Sequence, residues 1–108
     1  MMFGLPDEFL RTVMMFGETQ ASIEAIILFG SRATGNYRSG SDVDLILKGR
    51  NLGIDDVIQF EKQLEKLDSL NTFDILIFDR IASADLIRRI EKTGITLYSK
   101  TRETIHHS

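Results

Sequence analysis

The stretch AIILFGSRATGNYRSGSDVDLIL, residues 25–47, decides the fold. Ala25-Ile26-Ile27-Leu28-Phe29 is a short, uninterrupted apolar run, rich in β-branched side chains, and it predicts a buried strand. Gly30-Ser31-Arg32-Ala33-Thr34-Gly35 follows as a turn with at most one helical turn, and 36–41 is a polar loop. Asp42–Leu47 predicts a second strand. Side chains alternate along a strand, so Asp42 and Asp44 share one face while Val43, Leu45 and Leu47 share the other.

Working outward, Pro6 suits the first turn of a helix, and Asp7 and Glu8 suit its positive end. Phe9, Leu10, Val13 and Met14 supply a helical stripe that Gly17 is expected to end. On the other side, Asp55–Leu67 predicts a helix with Val57, Phe60, Leu64 and Leu67 on its inner side. Phe73–Phe78 predicts a third strand, in which Asp74 shares a face with Leu76 and Phe78. Ser83 can cap a last helix whose apolar face is Leu86, Ile87 and Ile90. Gly94 ends that helix before a short strand at Ile95–Tyr98. Strands alternate with helices, which makes the fold α/β (α+β), with helices packed mainly on one face of a small sheet. The expected organisation is one domain over 1–98 and a polar tail over 99–108, with His106 and His107 belonging to the tail.

A chain of 108 residues is of single-domain size and can bury a core without covalent staples. It contains no cysteine, which removes disulfides, zinc–thiolate sites and thiol nucleophiles and is compatible with a reducing cytoplasm. The start, Met1-Met2-Phe3-Gly4, lacks a basic region leading into an apolar one, so no signal peptide is expected, nor is any apolar run long enough to span a bilayer. Formal net charge is −3, and basic residues interleave with acids, as in Glu61-Lys62 and Glu65-Lys66. A protein that grips nucleic-acid phosphates should instead be basic or carry a basic stripe, which weighs against a template-using polymerase.

Asp42-Val43-Asp44 carries the first chemical signal. Residues i and i+2 on a strand are separated by ~6.6 Å of rise and project from the same face. Two carboxylates so placed can hold hard divalent cations such as Mg²⁺, and Asp74 from a neighbouring strand is a suitable third ligand. An isolated Asp-x-Asp is common at strand starts and means little alone. Like charges on one face repel, however, so a cation or solvent must relieve them. Gly30-Ser31 adds a second signal: a strand-exit turn whose backbone N–H groups can seat a phosphate, with the Ser31 hydroxyl as an extra partner. Arg32 could pair with phosphate oxygens or face elsewhere. Gly30 and Gly35 have the spacing of P-loop glycines, but Asn36-Tyr37 stands where Lys-Ser/Thr is required, so a P-loop is rejected.

In combination, Leu28-Phe29-Gly30-Ser31-Arg32-Ala33-Thr34-Gly35, Ser41-Asp42-Val43-Asp44-Leu45 and Phe73-Asp74-Ile75 resemble the polymerase-β-like nucleotidyltransferase superfamily. The Gly-Ser-Arg-Ala-x-Gly form and the short length are similar to its smallest branch, the minimal nucleotidyltransferases (MNT proteins). The resemblance implies that Asp42, Asp44 and Asp74 are catalytic and bind two Mg²⁺ ions. It implies that Gly30 and Ser31, with Arg32 beside them, bind the triphosphate of an NTP, with ATP expected. Asp74 would help activate the acceptor hydroxyl. The implied partner is a helical HEPN toxin, with the MNT protein as antitoxin transferring AMP to it in the cytoplasm. Two other readings share these residues: an antitoxin that only masks its toxin, and the catalytic subunit of a two-chain small-molecule transferase. A chain this small with a half-covered sheet could also dimerise or join another chain.

Overall fold

The structure, a computed structural model, describes residues 2–38, 40–67 and 71–100. The expected tail beyond Lys100, including His106 and His107, lies outside the described residues. The order of elements is α1 (Asp7–Thr19), β1 (Ile23–Phe29), a single-turn α2 (Ser31–Thr34), β2 (Val43–Gly49), α3 (Ile54–Glu65), β3 (Phe73–Ile77), a 3₁₀ turn (Phe78–Arg80), α4 (Ala84–Thr93) and β4 (Ile95–Ser99). Ser99, placed in the tail from sequence, therefore closes the last strand.

The four strands form one mixed sheet in the order β3-β2-β1-β4. β1 runs antiparallel to β2 and β4, whereas β2 and β3 are parallel. Parallel neighbours need a long crossover, and α3 supplies it. One sheet face is covered by α1 and α3: Phe9, Val13, Phe16, Phe60 and Leu64 pack with Ile26, Leu28, Val43, Leu45, Leu47 and Ile75 in the main core. The rings of Phe16 and Phe60 stack at 4.5 Å between the two helices. Burying a side chain such as Phe60 is worth about 1.5–3 kcal/mol, so this layer carries much of the stability.

Two helix boundaries differ from the sequence expectation, for physical reasons. Gly17 does not end α1, which continues to Thr19. A Cβ at Gly17 would overlap the Tyr98 ring, so the glycine serves close packing of α1 against β4. α3 stops at Glu65, which leaves Leu67 beyond the helix and exposed. Its start is held by the Gly53 N–H, which donates to Asp56 Oδ2 at 2.8 Å. The α4 boundaries hold as expected: the Leu86 N–H donates to Ser83 Oγ at 3.1 Å, and Gly94 follows the last turn.

The second face is only partly open. Ile90 of α4 packs on Ile27 and Ile46, with Phe29, Phe78, Ile81 and Leu86 around them. Only Phe29 of that cluster reaches the end of the sheet where the aspartates emerge.

Candidate functional site

The register places the acids. Phe29 is the partner of Asp44 across β1 and β2, and Asp44 is the partner of Asp74 across β2 and β3. Directly paired residues point to the same face, so Phe29, Asp44 and Asp74 form one row across three adjacent strands. The next row on that face is Ile27, Ile46 and Leu76, of which Ile27 and Ile46 lie under α4 and Leu76 is exposed. Asp44 is half-buried, while Asp74 and Asp42 are exposed. Burial pushes the Asp44 carboxyl above the ordinary carboxylate range, and the charges of Asp74 and then Asp42 push it further. Those two repulsions tie all three aspartates to one electrostatic site. Asp42 lies just before β2, which starts at Val43.

Gly30 stands against this row. Its backbone is at φ 77°, ψ −153°, a region open almost only to glycine. A Cβ there would overlap Asp44 Oδ2. The missing side chain lets the β1–α2 turn close onto the carboxylate, with Ser31 opening α2 beside it. The first N–H groups of a helix have no partner inside it, so the turn offers donors next to the acids.

Arg32 is placed differently from its sequence expectation as a phosphate ligand. It is 3% exposed. Its Nη1 donates to the Phe3 carbonyl at 2.9 Å, and its Nη2 donates to the Ser41 carbonyl at 3.0 Å and to Asn71 Oδ1 at 3.1 Å. The guanidinium also lies over the Tyr37 ring, 5.0 Å from its centroid. A side chain committed to these acceptors is not available to a triphosphate.

Two cations outside the expected site residues lie on the acid-bearing face, one of them Arg89, whose place beside the apolar side of the last helix suggests only a solvated face. Arg89 sits over the Phe29 ring at 5.8 Å, beside the Asp44 row, and Lys48 sits over the Phe78 ring at 4.6 Å. Arg89 follows from α4 covering this face, which the sequence pattern alone did not reveal. A separate groove of about 490 Å³ between α1 and α3, lined by Met15, Gln59, Lys62 and Lys66 among others, contains no carboxylate and is remote from the acidic row.

Among the described residues, no three His, Cys, Asp or Glu side chains are already arranged to hold a metal ion. The donor chemistry nonetheless fits Mg²⁺. It consists of hard carboxylate oxygens on adjacent strands, Asp44 and Asp74 being direct partners in the sheet. Mg²⁺ is usually held by one or two carboxylates, with substrate phosphates and waters completing its shell, rather than by a full protein cage. Among the described residues no helix is long and apolar enough to cross a membrane.

A glycine turn closed onto a row of aspartates, on a mixed sheet backed by two helices, defines a nucleotidyltransferase-type domain. The profile of the family described as polymerase beta, nucleotidyltransferase matches residues 12–103, and the chain belongs to that family. No curated protein sequence matches it. Solved structures share the fold at low identity. A toxin–antitoxin complex with AMP-PNP has a TM-score of 0.70 and 18% identity, covering 87% of this chain and 76% of that one. The tri-AMPylated Shewanella oneidensis HEPN toxin in complex with MNT antitoxin has a TM-score of 0.64 and 15% identity, covering 90% and 75%. The toxin–antitoxin MntA–HepT has a TM-score of 0.64 and 15% identity, covering 91% and 76%.

Proposed function

We propose that this protein transfers a nucleoside monophosphate, AMP from ATP in the first instance, to a hydroxyl on a HEPN-type toxin, and so acts as its antitoxin. The observation that carries the reading is the Asp44–Asp74 pair in register, faced by a glycine whose side-chain space is taken by Asp44 Oδ2. Support for the acceptor and nucleotide comes from the similar solved structures, one with AMP-PNP and one with an AMPylated HEPN toxin.

Asp42, Asp44 and Asp74 would hold Mg²⁺, two ions when nucleotide is present, which neutralises phosphate charge and lowers the acceptor hydroxyl's pKa. The Gly30–Ser31 turn seats the triphosphate through its backbone N–H groups and the Ser31 hydroxyl. Asp74, exposed at the sheet edge beside Asp44, takes the proton of the acceptor hydroxyl. The hydroxyl oxygen then bonds to the α-phosphorus, the bond to the bridging oxygen of the β-phosphate breaks, and pyrophosphate leaves. Positioning and charge neutralisation supply most of the rate in such transfers.

The test is pyrophosphate release from ATP with Mg²⁺ and a HEPN acceptor, comparing the wild type with Asp44→Asn. The variant should keep its fold and lose release. Undiminished release from a folded Asp44→Asn protein would overturn the assignment.

A further inference from the structure

We propose that Arg32 is a positioning residue for the acidic centre: it sets the placement of Asp42 and Asp74 relative to each other without touching substrate. The inference rests on the nucleotidyltransferase reading of those aspartates. Asp42 lies outside β2, so the strand ladder does not fix it directly. Its two neighbours are held instead. The Ser41 carbonyl accepts from Arg32 Nη2 at 3.0 Å, and the Val43 N–H donates to the Thr72 carbonyl at 2.8 Å. The same Nη2 reaches Asn71 Oδ1 at 3.1 Å, three residues before Asp74. One nitrogen thus ties the mouth of β2, where Asp42 sits, to the mouth of β3, where Asp74 sits. The other terminal nitrogen anchors this fork to the chain's first turn, at the Phe3 and Gly4 carbonyls.

The energetics favour a purpose beyond packing. Arg32 is 3% exposed, its Nε has no hydrogen-bond partner, and among the described residues no carboxylate pairs with it. Burying a cation is costly, and here its bonds to acceptors on separate segments offset that cost. A planar guanidinium presents five donors in a fixed fork, which suits acceptors on separate segments, and lysine's compact ammonium does not reproduce that geometry.

The experiment measures Mg²⁺-dependent binding of AMP-PNP by calorimetry, with circular dichroism to verify folding. Arg32→Gln and Asn71→Leu each remove the link between the two strand mouths, and Asn71→Asp keeps the Oδ1 acceptor. Both disrupting variants should weaken Mg²⁺ dependence roughly 10–100-fold, the usual cost of losing a residue that orients metal ligands, and Asn71→Asp should restore most of it. Folded Arg32→Gln and Asn71→Leu proteins with wild-type Mg²⁺ dependence would overturn the proposal. If Arg32→Gln does not fold, Asn71→Leu, which leaves Arg32 in place, decides alone. A wild type that binds no nucleotide would instead overturn the nucleotidyltransferase reading itself, so the two failures are distinct.

Discussion

Replacing Gly30 by alanine should damage both the fold and the site, by separable amounts. Gly30 sits at φ 77°, ψ −153°, where a non-glycine residue costs about 1–3 kcal/mol. For a domain of this size each kcal/mol lowers Tm by roughly 4–8 °C, so a fall on the order of 5–20 °C is expected. The new Cβ would also overlap Asp44 Oδ2 and stand 3.4 Å from its Cγ, so the carboxylate must move away from Gly30 and out of its present place beside Asp74. A displacement near 1 Å at a reacting centre can cost on the order of 100-fold in rate. Gly35→Ala is the matched control: Gly35 also has positive φ, at 89°, but a Cβ there meets nothing within 4 Å. It should lose stability and keep activity per folded molecule. Calorimetric Tm and label transfer from α-³²P-ATP read the two effects. Wild-type transfer by folded Gly30→Ala would refute the reasoning that this glycine exists to make room for Asp44.

Three further outcomes are expected. The Asp44 pKa is raised, by burial first and then by Asp74 and Asp42, so the folded state binds its proton more tightly than the unfolded chain does. Its charged form therefore costs stability above the raised pKa, and that cost disappears as pH falls through it towards the ordinary carboxylate value. Metal-free Asp44→Asn should accordingly melt higher than wild type at pH 7 and converge with it in acid. Equal melting at pH 7 would contradict this. Gly17→Ala should lower stability by about 1–3 kcal/mol through overpacking against Tyr98, with unchanged transfer per folded molecule, checked by denaturant titration. Arg89→Ala should raise the KM for ATP with little change in Tm, because Arg89 is exposed and lies over Phe29 beside Asp44. Arg88→Ala, whose arginine pairs with Asp85 at 3.6 Å in solvent, should change neither.

The strands and the facing of their aspartates were legible in the sequence because strand periodicity is strict. Once Asp42–Leu47 was a strand, Asp44 had to face opposite to Leu45. Direct pairing of Asp44 with Asp74 was not legible, since register across a crossover depends on how α3 packs. Helices do pack mainly on one face, but the small cluster on the second face was not legible as such. The unbroken run Ile26-Ile27-Leu28 and the sequence Leu45-Ile46-Leu47 do carry apolar residues on both faces, and Ile27 and Ile46 are what α4 covers. Gly17 was misplaced because a glycine that ends a helix and one that admits an aromatic ring are identical in sequence. The burial of Arg32 was not legible either: its acceptors lie at Phe3, Gly4, Ser41 and Asn71, and no local pattern links those positions.

The most direct measurement is transfer of label from α-³²P-NTPs, with Mg²⁺, to a HEPN protein from the same genome, using wild type and the Asp42→Asn/Asp44→Asn variant. The account predicts label from ATP on the HEPN protein with wild type and none with the variant. No label from any nucleotide, while the chain still binds and neutralises that protein, would contradict it and leave an antitoxin that works by masking.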